Sequence, residues 1–221
     1  MFNRSAFPRL ATSCVVSMSM LLAACAGAPK VAMSDSARTS VHTVSVDPKV
    51  TLPPDMYYQG PGQAGLMMLG IVGALAAQSS AATPKARLQA VMDEHHISVP
   101  EIVAAEFAKQ ANAATTMKFA VGTEPADASL ALEVRMYGIA QSQGFGTTLY
   151  PTFTVAATMK KADGTVLWQA VDFVTALNGE NKEGHTIEEY LKDPELIRKS
   201  FTSGSDIVSR MLVSDLAGPK K

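Results

Sequence analysis

The stretch Leu130–Met136 reads Leu-Ala-Leu-Glu-Val-Arg-Met, and its larger apolar residues recur at every second position. Because side chains alternate between the two faces of a strand, this period of two predicts a strand with one buried face. The same alternation returns at Phe153–Met159. Asp163-Gly164 then favours a tight hairpin turn, followed by a return strand over Thr165–Thr175. We therefore expect a three-stranded antiparallel meander.

Helix signals flank this meander on both sides. Thr83–Pro84 and Ser98–Glu101 each place a capping residue before a run with helical apolar spacing, and Thr186–Glu189 fits a capping box. Two shorter segments, Val41–Val46 and Met117–Gly122, have the alternation of further strands. The expected fold class is therefore α+β: a mostly antiparallel or mixed sheet of about five strands with helices packed on it.

Composition excludes several classes of protein. The 221 residues are 47% hydrophobic and 18% charged, with a formal net charge of −1. A chain with this balance can bury a core, so it is not intrinsically disordered. It also lacks the basic excess typical of nucleic-acid-binding proteins, and we expect no nucleic-acid partner.

The N-terminus has the order of features found in an export signal. Arg4 and Arg9 precede an apolar run over Leu10–Leu22, which is short for a membrane span. The run ends Leu22-Ala23-Ala24-Cys25. This ending resembles a bacterial lipobox, and the resemblance implies removal of the signal and acylation, including palmitate, at Cys25. The alternative is a secreted protein in which Cys25 merely lies near the cleavage site.

These signals predict four regions in the chain. We expect a lipoprotein signal peptide over 1–24, a lipidated tether over 25–40, one α+β domain facing the periplasm over 41–216, and a tail over 217–221. Removal of residues 1–24 changes the net charge to −3 and takes away Cys14, the only cysteine besides Cys25. The mature chain then has no thiol for catalysis, zinc binding or redox chemistry. By resemblance to enterobacterial sorting patterns, Ala26 favours the outer membrane.

A second apolar stretch covers residues 64–77, fourteen residues without a charge. As a helix it would be about 21 Å long, less than the ~30 Å hydrocarbon core of a bilayer. It could be a buried segment, a surface for self-association or for a partner protein, or a membrane-inserted segment. The predicted interaction surface comprises small and apolar residues of this stretch and one loop aromatic: Gly65, Met67, Met68, Gly70, Gly73 and Phe145.

Candidate chemistry is sparse. His95 and His96 are adjacent, so on a helix their side chains diverge by about 100° and do not favour a shared metal. Hydrolase and phosphate-loop motifs are absent from the sequence. We predict no catalytic, cofactor-binding or metal-binding residues and expect no cofactor.

Several segments of the chain together resemble a known family of proteins. The lipobox, the opening strand, Ala126–Ala128 and the segment Lys161–Trp168 together resemble proteobacterial lipoproteins with a domain similar to the N-terminal domain of TolB. The resemblance implies a non-enzymatic, lipid-anchored scaffold, assembly or accessory module of the cell envelope. Its partners would be the membrane, through acyl chains on Cys25, and an envelope protein or further copies of itself. The alternative is a lipoprotein component of an export or transport apparatus that handles lipid or another apolar ligand.

Overall fold

The computed structural model describes residues 30–61, 83–142 and 146–218, and Val31–Lys221 forms one compact unit. The described ranges contain five helices and a mixed sheet of six strands, which confirms the α+β class. The helices are α1 Asp35–Ser40, α2 Pro84–Glu94, α3 Val99–Ala114, α4 Ile187–Lys192 and α5 Pro194–Ala217. The strands are β1 Thr43–Val46, β2 Tyr57–Gln59, β3 Lys118–Val121, β4 Ala128–Gln141, β5 Leu149–Lys160 and β6 Val166–Val174.

The sheet has the order β3-β1-β4-β5-β6, with β2 also paired to β4. Strands β4, β5 and β6 form the antiparallel meander that the alternation predicts. The turn between β5 and β6 uses Gly164 at φ 87°, and the carboxylate of Asp163 accepts the backbone N–H of Thr165 over 2.8 Å. Strand β1 runs parallel to both β3 and β4, which makes the sheet mixed.

The core lies between the sheet and helices α3 and α5. The ring of Phe107 on α3 is 6.4 Å from that of Trp168 on β6, and Phe153 on β5 is 5.7 Å from Phe201 on α5. All four side chains are fully buried. The apolar face of the meander is therefore the face that the helices cover, since burial of its large side chains drives the packing.

Helix starts follow the capping residues in the sequence. The Ser98 hydroxyl accepts the N–H of Glu101 at the start of α3. At α4 the capping box is complete, because Thr186 N–H donates to the Glu189 carboxylate over 2.7 Å and Glu189 N–H donates to the Thr186 hydroxyl over 3.3 Å. Each cap satisfies backbone donors that have no partner within the first helical turn.

The expected tether over 25–40 is wrong in its second half. Residues 31–40 belong to the folded unit: Val31 pairs with Gln169 beside β6, and α1 follows with Ser34 as its cap. Met33 and Ala37 lie in the core at 2% and 8% exposure. Two apolar residues four positions apart are too short a pattern to distinguish a packed helix from a polar linker, so only the contacts reveal this segment.

Strand β2, Tyr57–Gln59, is a strand that the sequence analysis does not predict. It pairs in parallel with β4 over Gly138–Ala140. A Cβ atom at Gly138 would lie 1.8 Å from the carbonyl oxygen of Tyr57. The approach of β2 therefore depends on the missing side chain at Gly138.

Candidate functional site

The predicted lipidation site and the predicted interaction surface lie outside the described ranges. They are Cys25, Gly65, Met67, Met68, Gly70, Gly73 and Phe145. In the part that is described, no helix combines the length and apolarity needed to cross a bilayer. Residues 30–61, 83–142 and 146–218 contain polar clusters, cavities and exposed surfaces that are further candidates for a functional site.

The described histidines contribute mainly to local structure. His95 is the C-cap of α2, and its carbonyl oxygen accepts a hydrogen bond from the guanidinium of Arg198 over 3.1 Å. The ring of His185 packs edge-on against Tyr190 with centroids 5.4 Å apart. Over the described ranges, no group of three or more His, Cys, Asp or Glu side chains is placed to hold a metal ion.

Tyr190 is a titratable residue of the core and is only 1% exposed. Its hydroxyl donates to the carbonyl of Leu149 over 3.0 Å and lies 2.9 Å from the hydroxyl of Ser200. Burial raises the pKa of Tyr190 to about 12, because the phenolate form would be desolvated. The side chain is therefore a neutral link between β5, α4 and α5, rather than an acid or base poised near neutral pH.

Asp127 and Asp163 lie in the two segments that carry the sequence resemblance to envelope lipoproteins. Each accepts hydrogen bonds from nearby backbone N–H groups. The Asp127 carboxylate accepts the backbone N–H groups of His42 and Thr43 over 2.8 and 2.9 Å. These bonds lower the pKa of Asp127, and the bond from Thr165 N–H does the same for Asp163. Both pKa values are lowered because these hydrogen bonds stabilise the charged carboxylate form. The polar residues of these motifs hold the backbone in place.

A charged cleft of about 480 Å³ lies along α3 and α5. Its walls carry both signs of charge: Lys109, Glu183, Glu195, Arg198, Lys199, Thr202, Ser203 and Asp206. Lys109 lies 2.7 Å from Glu106, and Lys199 lies 2.9 Å from Glu183. Because its charges pair with one another, the cleft presents no concentrated field for a charged ligand.

An exposed apolar surface lies at the β6 edge of the sheet. Val171, Phe173 and Leu177 are 40%, 58% and 76% exposed, and we call these three residues the β6 patch. Sequence reasoning missed it, although a signal was present: β6 has apolar residues at both odd and even positions, so one of its two faces carries apolar groups outside the helix-covered core.

Comparison with known families and with curated proteins gives no match. Similar solved structures include a PelC dodecamer from Paraburkholderia phytofirmans, with 13% identity and a TM-score of 0.42 over 86% of this chain and 98% of that chain. Lipoprotein GNA1162 from Neisseria meningitidis has 16% identity and a TM-score of 0.26 over 60% of this chain and 81% of its own. A minor lipoprotein from Acinetobacter baumannii has 13% identity and a TM-score of 0.24 over 79% and 94%.

These structures include bacterial lipoproteins, but the likeness is too weak to assign a family or an activity. All three TM-scores are below 0.5, and the identities are between 13% and 16%. The comparisons do not establish the resemblance to the N-terminal domain of TolB that the sequence suggests. The function is therefore argued from the chain itself.

Proposed function

We propose that this chain is a lipid-anchored protein of the bacterial envelope whose folded unit serves as a non-enzymatic scaffold, assembly or accessory module. The single observation that carries the proposal is the sequence Leu22-Ala23-Ala24-Cys25, which follows two arginines and an apolar run. Several acyl chains at one cysteine would anchor the protein stably, since each buried methylene contributes about 0.8 kcal/mol.

The position of the folded unit is compatible with a short anchor. The unit begins at Val31, six residues after Cys25. Six extended residues span at most about 22 Å. An acylated Cys25 would therefore hold the folded unit close to the lipid surface. A flexible tether that extended to residue 40 would allow a larger distance.

The roles of the perturbed polar groups support a scaffold more than an enzyme. Tyr190 links β5 to α4 and α5, Asp127 fixes the start of β1, and Glu189 caps α4. Each of these groups is engaged with backbone atoms of the chain itself. A surface that binds another protein, through the predicted segment 64–77 or through oligomerisation, fits this arrangement.

Palmitate labelling tests the anchor. We expect wild type to incorporate labelled palmitate and to fractionate with membranes, and Cys25→Ser to lose both properties. Cys14→Ser is the matched control, because Cys14 lies in the predicted signal and its loss should leave labelling unchanged. Label that persists in Cys25→Ser, or an N-terminal peptide whose mass shows no acyl chain in wild type, would refute the anchor.

Separate measurements test location and partners. We expect the protein in the outer-membrane fraction, as Ala26 favours, with the folded unit in the periplasm. Cross-linking in cells, followed by mass determination in detergent, should give a defined homo-oligomer or a complex with an envelope protein. Stoichiometric co-purified lipid with a monomeric protein would instead favour the transport alternative.

A further inference from the structure

The β6 patch lies on the side of the sheet that the helices do not cover. In the antiparallel ladder, Val171 pairs with Ala156 and Phe173 pairs with Thr154. Val155, between these two partners, is in the core with Trp168. Because successive residues of a strand face opposite sides, Val171 and Phe173 point away from α3 and α5.

Leu177 is a third exposed apolar residue, three positions after the last residue of β6. It lies in a turn in which Asn178 N–H donates to the carbonyl of Thr175 over 3.1 Å. Its own N–H donates to the Thr175 hydroxyl over 3.3 Å. These bonds hold the turn, yet the leucine side chain is 76% exposed. Single exposed apolar residues are common on protein surfaces, but three within seven residues form a local surface that calls for an occupant.

The position of Val31 beside β6 points to that occupant, because the predicted anchor residue Cys25 is six positions earlier in the chain. Val31 and Gln169 exchange two backbone hydrogen bonds of 2.9 Å in an antiparallel bridge. Phe173 is four residues along β6 from Gln169, the partner of Val31. Four residues of strand cover about 13 Å, whereas the six steps of extended chain from Cys25 to Val31 can span about 22 Å. The β6 patch is thus within reach of the anchor residue.

The charges near the patch also favour an apolar occupant. Glu180, the first acidic residue after Leu177, forms a 2.8 Å ion pair with Arg210. The chain after signal removal has a net charge of −3 and no polybasic cluster, so attraction to anionic headgroups would not orient it. Apolar contact is the remaining means by which this edge can rest against a membrane.

We propose that Val171, Phe173 and Leu177 form a membrane-resting surface that contacts the bilayer into which the acyl chains of Cys25 insert. The proposal rests on the proposed lipid anchor and adds to it the orientation of the folded unit. The side of β6 that the helices do not cover faces the lipid, and β3 lies at the opposite end of the main strand order.

Depth-dependent quenching in vesicles tests this orientation. The acylated protein, in a Cys14→Ser background, is reconstituted into vesicles of phosphatidylethanolamine and phosphatidylglycerol that contain a lipid-borne quencher. Phe173→Cys and Leu177→Cys each carry an environment-sensitive fluorophore. Val121→Cys on β3 is the matched control, because Val121 is an apolar residue of similar exposure, 45%, at the other edge. We expect at least threefold stronger quenching and a blue-shifted emission at 173 and 177.

The outcomes separate this proposal from the lipid anchor. Quenching at 173 and 177 no stronger than at 121, in protein that is acylated and floats with the vesicles, overturns the membrane-resting surface and leaves the anchor standing. An N-terminal peptide without acyl chains overturns both. Disulfide formation between two copies of unlabelled Phe173→Cys protein, with the emission of the labelled protein unaffected by the quencher, overturns the proposal in favour of a second copy of the chain at this edge.

Discussion

The indole Nε1 of Trp168 donates a hydrogen bond to Oδ1 of Asp215 over 2.9 Å. Trp168 is the only tryptophan of the chain and is completely buried on β6, whereas Asp215 is near the end of α5. This bond joins the last strand of the meander to the last helix, and it satisfies a donor that has no access to water. The C-terminal turn of α5 is thereby held to the sheet.

Removal of the Asp215 carboxylate should destabilise the fold. Asp215→Ala leaves the buried Trp168 N–H without this acceptor, and we expect the free energy of unfolding to fall by about 1–3 kcal/mol. Asp215→Asn keeps an acceptor oxygen and should lose less. Urea titration followed by the emission of Trp168 measures both, with exposed Ser214→Ala as the control on the same helix. Equal losses in the Ala and Asn variants would contradict the role given to this bond.

Stability should fall at high pH through Tyr190. Burial raises the pKa of Tyr190 in the folded state to about 12, from an ordinary value of 10.0. Its contribution is therefore complete below pH 10 and is lost as the pH rises from about 10 to about 12, with a slope near 1.4 kcal/mol per pH unit. Denaturant titrations at several pH values between 9 and 11 measure this slope.

Tyr190→Phe is the variant that isolates this effect. The pKa values of Tyr58 and Tyr137 are also raised by burial, so the wild-type slope contains more than one residue. Without the Tyr190 hydroxyl, the decline above pH 10 should become shallower, and stability at pH 7 should fall by about 1–3 kcal/mol as the Leu149 carbonyl loses its donor. Identical slopes in the variant and wild type would show that Tyr190 titrates normally.

Gly138 and Gly122 form a matched pair for the β2–β4 contact. Both have φ near 155°, at 157° and 155°, but a Cβ at Gly138 would meet the Tyr57 carbonyl whereas a Cβ at Gly122 would meet nothing within 4 Å. We expect Gly138→Ala to cost about 3 kcal/mol or more and Gly122→Ala only the backbone strain of about 1–2 kcal/mol. Urea unfolding compares them, and equal costs would mean that β2 does not require Gly138.

Gly204 should be a site of close packing, although a glycine within a helical pattern suggests a weak point of the helix. A Cβ there would lie 2.9 Å from Cβ of Pro151 and 3.0 Å from the ring of Phe153. Alanine gains about 1 kcal/mol of helix propensity, but the displacement of α5 from β5 should outweigh it, with a net loss of about 1–2 kcal/mol. Thermal unfolding measures the effect, with Gly179→Ala in open space as the control. A stabilised Gly204→Ala protein would refute this packing argument.

Local patterns were sufficient for most of the secondary structure. The capping box at Thr186 and the turn at Asp163-Gly164 depend on residues a few positions apart, and both are confirmed. The meander was also predictable, because alternation identifies strands and a short turn joins neighbours in an antiparallel pair. The lipidation site Cys25 and the candidate interaction residues stay predictions because they lie outside the described ranges.

The features that the sequence could not reveal depend on contacts between distant segments. Strand β2 exists because Gly138, some eighty positions after Tyr57, leaves space for its backbone. The β6 patch became visible only when the helices were seen to cover the other face of the sheet. In both places the sequence contains the residues, but the segments that pair with them or leave them exposed are far away along the chain.

The sequence by itself determined the α+β class, the meander, the helix caps and the prediction of a lipid anchor, since each follows from covalent order and short-range periodicity. The tertiary structure decided that residues 31–40 are folded, that β1 joins β3 to β4, and that Phe173 and Leu177 stay exposed. The physical reason is that burial and strand pairing are properties of surfaces brought together by folding, and no local pattern specifies which surfaces will meet.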